Sequence, residues 1–326
     1  MPAKILLVDD EPSNLQLLRQ TLKDDYELFF AKDGKTSLEL AEQNQPDLIL
    51  LDVLMPLLDG FETCRQLKNN QKTKHIPVIF VTSLNDAIDE SKGFEVGGVD
   101  YISKPIKPIT VKARIKTHLT LVDIAELRRT QLQIVECLGR AAEYKDDDTG
   151  QHVSRMSRYA KVLAKAAGFS EEQADLLMNA VPMHDIGKIG IPDSILMKQA
   201  ALTPEEWDIM RTHVAIGVEI IGDDPAELFR IARTVAQYHH EKWDGSGYPH
   251  GLKQQQIPIE ARIVAIADVF DALTNNRPYK AAWSVEQAIE YMLEQKEKHF
   301  DPDLLSLFID NMPAILEIKV KFADQN

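Results

Sequence analysis

Histidine and aspartate residues in the second half of the chain are spaced like the ligands of a metal centre. Five of the nine histidines lie between positions 152 and 240, and these are His152, His184, His213, His239 and His240. Three aspartates accompany them, Asp148, Asp185 and Asp268. Asp148 and His152 are four residues apart, so on a helix they would share one face. Asp268 lies in the apolar run RIVAIADVFDALT, where a carboxylate needs a partner because burial of an unpaired charge is strongly unfavourable.

These eight side chains predict a site for two metal ions. A single histidine on an apolar face is more often a hydrogen-bonded core residue than a ligand, but the joint pattern favours ligands. Mixed imidazole and carboxylate ligands suit Fe, Mn, Zn or Ni, and the lack of cysteine ligands argues against a structural zinc finger. Eight groups exceed the needs of one ion. Two ions about 3.5 to 4 Å apart, which often serve the hydrolysis of phosphate esters, account for them better, with Asp185 as the candidate bridging ligand.

A second set of polar residues follows short apolar runs near the start of the chain. Asp9, Asp10 and Asp52 each close such a run, Thr82 closes another, and Lys104 follows a fifth. In an open α/β sheet the carboxyl ends of the strands gather functional groups at one edge. Three carboxylates brought together there predict a Mg²⁺ site, with Asp52 as a nucleophile toward a phosphodonor. A solvated strand-end acid or a helix cap is the alternative for any one of these residues alone.

The apolar pattern indicates the elements that position both sets. Short continuous apolar runs alternate with amphipathic stretches over the first third, which is typical of a parallel sheet covered on both faces. Residues 109–144 lack proline and have apolar residues at helical spacing, which predicts one long connecting helix, with a break near Asp123 as an alternative. Capping-box patterns at 170–173 and 203–206 predict helix starts in a mainly α second domain. We therefore expect domains at 1–120 and 140–326.

Composition limits the partners of the protein. The net charge of −14 argues against nonspecific binding to DNA or anionic lipid, so a phosphate ligand would need local cations or metals. The two cysteines, Cys64 and Cys137, provide no disulfide framework. The start MPAKILLVDD lacks the apolar core of a signal peptide, and no apolar run approaches membrane-spanning length. These features predict a cytoplasmic protein without membrane insertion.

The segments ILLVDDEPSN, LILLDVLMPLLDG, VIFVTS and VDYISKPI resemble the receiver domains of response regulators over residues 1 to about 120. The resemblance implies a five-stranded flavodoxin-like fold and a sensor histidine kinase as the phosphodonor. It also implies Asp52 as the phosphorylation site, Asp9 and Asp10 as Mg²⁺ ligands, Thr82, Tyr101 and Lys104 as switch residues, and a cis peptide before Pro105.

The segments DTGQHVSR, HDIGKIGIPDSIL, HHEKWDGSGYPHGL and IADVFDALTNNRPYK resemble the HD-GYP subfamily of HD-domain phosphohydrolases over residues 140 to about 310. The resemblance implies an all-α helical bundle, two or three metals, with Fe or Mn first and Ni or Zn as alternatives, and cyclic di-GMP as substrate. By motif position it implies His152, His184, Asp185, His213, His239, His240 and Asp268 as metal ligands. Lys188 would contact the scissile phosphate and Tyr248 would lie beside the substrate, while Arg277 and Lys280 would hold its phosphates or a guanine.

Two departures from the HD-GYP pattern bear on the site. Asp148 stands where the family often has Glu, which in members with three metals serves the additional ion, so two and three metals both stay open. The segment MKQAALT, at 197–203, lacks the usual Pro-Gly turn, and KQQQIP replaces a Gly-containing loop. No ligand of the metal pair is missing.

The expected reaction is attack on phosphorus by a hydroxide that bridges the metals, with Lys188 and Asp185 in the catalytic site. The products would be the linear dinucleotide pGpG, GMP, or both. The alternatives are a cyclic dinucleotide sensor or scaffold with a structural metal site, and a phosphohydrolase for another nucleotide. Phosphorylation of Asp52 is expected to act on the second domain through the 109–144 helix. The alternative is that this helix is a rigid spacer. The receiver or this helix is also the candidate surface for a homodimer.

Overall fold

The computed structural model describes residues 2–83, 87–145, 151–275 and 282–323 of the 326-residue chain. The chain forms two compact units, Met1–Arg128 and Arg129–Asn326. The first contains a parallel sheet with helices, and the described part of the second is helical. This arrangement confirms the predicted fold class.

The first unit is built on five parallel strands in the spatial order β2-β1-β3-β4-β5. The strands are β1 (Lys4–Val8), β2 (Glu27–Ala31), β3 (Leu48–Asp52), β4 (Val78–Thr82) and β5 (Asp100–Ser103). The helices that alternate with them are α1 (Pro12–Leu22), α2 (Gly34–Asn44), α3 (Gly60–Asn69) and α4 (Ala87–Glu95). The strand order is that of the flavodoxin-like fold.

Both faces of this sheet are covered, which explains the continuous apolar runs in the sequence. Leu50 and Ile79 contribute to the apolar cluster on one face, while Leu51 and Phe80 contribute to the cluster on the other. The parallel register pairs Val8 with Leu51 and Asp52 with Val81, so the carboxyl ends of the central strands meet at one edge. That edge carries the polar residues discussed below.

The longest helix, α5 (Pro108–Tyr144), runs through position 123 without a break and contains residues of both units. The remaining helices are α6 (Gln151–Ala166), α7 (Glu171–Ala180), α8 (Asp193–Leu196), α9 (Pro204–Arg211), α10 (His213–Ile221), α11 (Glu227–Tyr238), α12 (Ile259–Thr274), α13 (Val285–Glu294), α14 (Pro302–Asp310) and α15 (Met312–Lys321). Among the residues described, no helix has the length and apolar character needed to cross a membrane.

The core of the second unit forms where α6, α7, α11 and α12 pack together. α12 is buried along most of its length, so its apolar run reflects a central position rather than an amphipathic surface helix. The predicted capping boxes are confirmed at the start of α7, by Ser170 and Gln173, and at the start of α9, by Thr203 and Glu206. These helices hold the segments that carry the histidines.

Candidate functional site

Five separate segments of the second unit bring seven of the predicted ligands together. α6 carries His152, α10 begins at His213, and α12 carries Asp268, while His184 and Asp185 follow the 3-10 turn Val181–Met183, and His239 and His240 follow α11. The nitrogen and oxygen atoms that could bind a metal form two groups. In each group, all of these atoms lie no more than 4.8 Å from one another. One group is His152, His184 and Asp268, and the other is Asp185, His213, His239 and His240.

Asp185 lies between these two groups. Its Oδ2 is 3.2 Å from His184 Nε2, whereas its Oδ1 is 3.3 Å from His213 Nε2 and 3.4 Å from His239 Nε2. One carboxylate oxygen therefore faces each group, which is the geometry of a bridging ligand.

The distances between the ligand atoms fit a shared ion better than hydrogen bonds. Ligand atoms about 2.1 Å from a common ion are roughly 3.0 to 3.4 Å apart in octahedral or tetrahedral coordination. Within the described part of the chain, Nε2 of His184, His213 and His239 and Oδ1 of Asp185 are buried without a hydrogen-bond partner. Since burial of an unsatisfied polar atom is costly, this convergent set of imidazoles and carboxylates fits divalent transition metals.

The other ring nitrogens of three histidines are held by backbone carbonyl groups. Nδ1 donates to Val181 O at 3.1 Å in His184, to Met210 O at 2.7 Å in His213, and to Val235 O at 3.0 Å in His239. A carbonyl oxygen can only accept, so these contacts fix the proton on Nδ1 and leave Nε2 as the free donor atom toward a metal.

His152 is held differently, by a buried ion pair that the sequence did not predict. Its Nδ1 lies 2.8 Å from Oδ2 of Asp271, and Arg155 donates to both oxygens of this carboxylate at 2.8 and 2.9 Å. Both Asp271 and Arg155 are 1% exposed. His152 Nε2 consequently faces Asp268 Oδ1 at 3.5 Å and Glu143 Oε1 at 3.7 Å.

The two groups differ in their electrostatic environment. Burial lowers the pKa of His213, and it lowers the pKa of His240 well below its ordinary value. Burial also acts to lower the pKa of His152, but the hydrogen bond to Asp271 and the nearby Glu143 carboxylate raise it to about 9. The His152 group thus has more carboxylates around it than the His213 group.

Two glycines allow close backbone approaches at the site. A Cβ at Gly187 would lie 1.8 Å from His213 O, so only glycine lets the 3-10 turn Ile186–Gly190 pack against α10. A Cβ at Gly247 would lie 2.4 Å from Lys242 N, which explains a glycine in the tight SGYPHG loop. Glu241 accepts hydrogen bonds from His250 N at 2.7 Å and Leu252 N at 3.0 Å and so fixes this loop.

The loop places Tyr248 beside the histidines and next to a surface cavity. The Tyr248 ring stacks on His240, with 4.7 Å between ring centroids. A cavity of about 510 Å³ is lined by Trp207, Arg211, Lys242 and Ser246 together with Tyr248. The Arg211 guanidinium carbon lies 5.5 Å from the Tyr248 ring centroid. This cavity combines aromatic surfaces with two cations and one carboxylate, Asp208, which lies 3.5 Å from Arg211.

The strand-end residues of the first unit also come together. Lys104 Nζ lies 2.7 Å from Oδ2 of Asp52 and 3.0 Å from Oδ2 of Asp9. Ligand atoms of Asp9, Asp10 and Asp52 lie within 4.8 Å of one another. Burial raises the pKa of Asp52, although its hydrogen bond from Lys104 acts in the opposite direction. The donor set, three carboxylates beside one lysine, fits Mg²⁺.

The two further predicted switch residues lie on neighbouring strands. Thr82 ends β4 and is buried. Tyr101, on β5, is half-buried, and its ring stacks on Phe80 with centroids 5.4 Å apart and meets Phe94 edge-on at 5.5 Å. The peptide between Lys104 and Pro105 is cis, as the resemblance implied.

Comparison with known proteins agrees with both halves of this description. The family model "Response regulator receiver domain" matches residues 5–116, and the model "HD domain" matches residues 136–304. A "Probable cyclic di-GMP phosphodiesterase" of Vibrio cholerae is 40% identical over 98% of this chain and 80% of its own length. The chain belongs to the HD-GYP response regulators.

Two other relatives of this HD-GYP response regulator are named for the cyclic dinucleotides that they cleave. The "Cyclic di-GMP phosphodiesterase response regulator RpfG" of Xanthomonas campestris pv. campestris is 35% identical over 98% of this chain and 90% of its own length. A "3'3'-cGAMP-specific phosphodiesterase 2" of Vibrio cholerae is 44% identical over 62% of this chain and 38% of its own length.

Three residues named from the HD-GYP motifs, Asp148, Arg277 and Lys280, lie outside the described residues. Sequence reasoning in turn missed Glu143, Arg155, Asp271, Trp207 and Arg211. The argument made for Asp268, a carboxylate in an apolar run, applies equally to Asp271 three residues later, so that signal was present. For Trp207 and Arg211, on the exposed helix α9, no comparable signal exists.

Proposed function

We propose that this HD-GYP response regulator hydrolyses cyclic di-GMP in its second unit and that phosphorylation of Asp52 regulates the reaction. The observation that carries the hydrolase proposal is the position of Asp185, with one carboxylate oxygen toward each group of ligands. Two relatives that cover 98% of the chain are named cyclic di-GMP phosphodiesterases, which supports the choice of substrate.

In this proposal, seven side chains hold two divalent ions, Fe or Mn first and Ni or Zn as alternatives. Asp185 would be shared by the two ions. His152, His184 and Asp268 would be the further ligands of one ion, and His213, His239 and His240 those of the other. When bound, the ions supply an activated water and neutralise charge on the phosphate. Asp148 is the residue that would serve a third ion.

Lys188 is the proposed cation for the scissile phosphate. Its Nζ lies 2.8 Å from Oδ2 of Asp185, so the ammonium group is at the edge of the metal centre. The lysine and histidine neighbours outweigh the effect of burial and hold the pKa of Asp185 well below its usual range. Lys188 thus keeps Asp185 ionised and lies where its ammonium group would meet a phosphoryl oxygen.

The cavity beside Tyr248 supplies a binding site for the rest of a cyclic dinucleotide. Trp207 is 46% exposed, which leaves a flat aromatic surface for a guanine base. Arg211 and Lys242 line the same cavity and can pair with a phosphate that is not being cleaved. Arg277 and Lys280 are proposed to contribute further contacts to phosphate or guanine. The products would be pGpG, GMP, or both.

A direct test is to load the full-length protein with Mn²⁺ or Fe²⁺ and follow cyclic di-GMP and its products by liquid chromatography. Hydrolysis to pGpG or GMP by the wild type, and none by Asp185→Asn, is the expected result. A parallel reaction with 3′3′-cGAMP tests the second substrate class, which the 44% identical relative raises. Binding of cyclic di-GMP without turnover by either loaded form would favour the sensor alternative instead.

For the first unit we propose that Asp52 accepts a phosphoryl group from a sensor histidine kinase, with Mg²⁺ held by Asp9, Asp10 and Asp52. Lys104 already contacts Asp52 and Asp9, so it can exchange these contacts for a phosphoryl oxygen. Thr82 and Tyr101 are the proposed switch residues. We further propose a receiver domain over 1–120, a connecting helix over 109–144 and an HD-GYP domain over 140–326. The connecting helix would transmit the effect of phosphorylation to the HD-GYP domain, and the receiver or this helix would provide the surface of a homodimer.

A further inference from the structure

One acidic side chain reaches the metal centre from the end of α5. Glu143 is 4% exposed, and neither of its carboxylate oxygens is accessible to solvent. Its Oε1 lies 3.7 Å from His152 Nε2, the same nitrogen that faces Asp268 Oδ1 at 3.5 Å. Two carboxylates from different helices therefore converge on one imidazole nitrogen.

The geometry at His152 is that of ligands rather than of a hydrogen-bonded cluster. A separation of 3.7 Å is too long for a hydrogen bond but close to the roughly 3.4 Å expected between two ligand atoms on one tetrahedral ion. His152 already uses Nδ1 for Asp271, so Nε2 is the atom left for a metal. The buried Nε2 of His184, in the same group, has no hydrogen-bond partner among the described residues.

The charges around this side of the centre also call for a cation. Asp271 is compensated by Arg155, and Lys188 lies against Asp185. Glu143, which is buried, and Asp268, which is partly buried, place two more carboxylates beside His152 Nε2, and a cation held there would reduce the repulsion between them.

We propose that Glu143 is a metal ligand on the His152–Asp268 side of the centre. The inference deepens the proposed function, on which it rests, because it adds a ligand to the same metal centre. Glu143 provides a long carboxylate in a chain whose Asp148 is one methylene shorter than the glutamate frequent in the family. The atoms within 4.8 Å of one another on this side are those of His152, His184 and Asp268, so Glu143 would join them as a further ligand by moving its carboxylate toward the ion, with Asp185 shared.

The position of Glu143 also gives the connecting helix a direct role at the site. Glu143 lies one residue before the end of α5, a helix that begins at Pro108. Just beyond this end, Lys145 Nζ donates to Ile189 O at 2.8 Å and Ile191 O at 2.7 Å, next to the turn that carries Lys188. A shift of α5 would thus move a metal ligand and the segment beside Lys188 together.

Metal binding by full-length wild type, Glu143→Gln and Glu136→Gln tests the proposal. Glu136 is the matched control, because it lies on the same helix and accepts a hydrogen bond from Ser154 at 3.5 Å, away from the ligands. Each protein is stripped of metal, titrated with Mn²⁺, and analysed for bound equivalents, affinity and the gain in Tm on loading. We expect the most weakly bound Mn²⁺ of Glu143→Gln to have a Kd at least about tenfold higher than in wild type, and the gain in Tm on loading to be smaller. Glu136→Gln should match wild type in both measurements.

The proposal would be overturned if Glu143→Gln matched wild type in Mn²⁺ affinity, in the number of Mn²⁺ bound and in the gain in Tm. A purely structural glutamate would lower the Tm of the stripped and loaded forms equally and leave the gain unchanged. If Glu143→Gln does not fold, the same comparison is made with Glu143→Asp, where weaker Mn²⁺ binding supports the proposal and unchanged binding refutes it. Cyclic di-GMP hydrolysis is measured separately, so a protein that fails to hydrolyse it can still show the Glu143 effect.

Discussion

Asp271 joins His152, a proposed metal ligand, to the buried Arg155: its Oδ2 lies 2.8 Å from His152 Nδ1, and its two oxygens accept from Arg155 at 2.8 and 2.9 Å. Arg155 also donates to Phe322 O at 3.0 Å. One carboxylate therefore orients a proposed metal ligand and also neutralises a buried cation. Because α12 carries both Asp268 and Asp271, this helix supplies one proposed ligand and the partner of another.

Replacing Asp271 by alanine is expected to weaken both the fold and the metal site. Removing one partner of a buried ion pair costs about 3–5 kcal/mol, because the Arg155 guanidinium is left buried without its carboxylate partner. Loss of the partner that orients His152 should lower metal affinity about 10- to 100-fold. Urea denaturation of the stripped protein and Mn²⁺ titration measure the two effects.

The control for this variant is Glu227→Gln, which removes the exposed partner of Arg230. A surface change of this kind should alter the free energy of unfolding by no more than about 0.5 kcal/mol. Equal stability of Asp271→Ala and wild type would show that the Asp271 ion pair does not hold the second unit together.

Lys188→Ala is expected to impair the chemical step without removing the metals. If Lys188 stabilises charge on the phosphoryl oxygens, kcat should fall by about 10²- to 10³-fold, as when one electrostatic donor is lost. Bound metal equivalents should stay at the wild-type number, because all seven proposed ligands are intact. Lys198→Ala is the control, since Lys198 pairs with Glu206 instead of a ligand. A rise in KM with unchanged kcat would assign Lys188 to substrate binding alone.

Most of the candidate site could be predicted because its proposed ligands occur in short, specific motifs. His184 with Asp185, and His239 with His240, are adjacent in the sequence and remain neighbours in space. The position of Glu143 at this site could not be predicted. Glu143 is in α5 and His152 is in α6, so helical spacing along the sequence does not show that the two side chains meet. The parallel sheet was predictable for a different reason: strands covered on both faces require continuous apolar runs, and such runs are visible in any single sequence.

Trp207→Ala is expected to weaken substrate binding rather than catalysis. Stacking of one base on an aromatic side chain contributes about 1–3 kcal/mol, which corresponds to a roughly 5- to 150-fold rise in Kd. Trp207→Phe should restore most of this loss, because it keeps an aromatic face. Titration of cyclic di-GMP into the catalytically impaired Lys188→Ala background separates binding from turnover. If the Trp207→Ala/Lys188→Ala double variant binds cyclic di-GMP with the same Kd as Lys188→Ala alone, the cavity beside Tyr248 is excluded as the site of a base.

The two cysteines are expected to differ in reactivity. Burial raises the pKa of Cys64 to about 11, whereas Cys137 is exposed. At pH 8 a thiol reagent should therefore modify one thiol per chain in the native protein and two in the denatured protein. Rapid modification of two thiols in the native protein would contradict the burial of Cys64.

The same shift predicts a pH dependence of stability. Since burial raises the folded-state pKa of Cys64 above the ordinary value of 9.0 for a thiol, the stability that the buried thiol contributes is fully present below pH 9 and is lost as the pH rises toward 11. The urea midpoint of wild type should fall more steeply over this range than that of Cys64→Ala. Parallel curves for the two proteins would show that Cys64 does not contribute to the alkaline loss of stability.

Occupation of Asp52 by a phosphoryl group is expected to change the rate of hydrolysis in the second unit. Lys104 bridges Asp52 and Asp9, so a phosphoryl group on Asp52 must displace at least one of these contacts. An effect in the usual range of allosteric coupling would alter the rate about 5- to 150-fold. Rates measured with and without beryllofluoride, a phosphoryl mimic, in the presence of Mg²⁺ test this. Asp52→Asn should not respond, and Asp10→Asn should respond only at higher Mg²⁺, since it loses one proposed ligand. Identical rates in wild type with and without the mimic would mean that α5 acts as a rigid spacer, and the regulatory half of the proposal would be wrong.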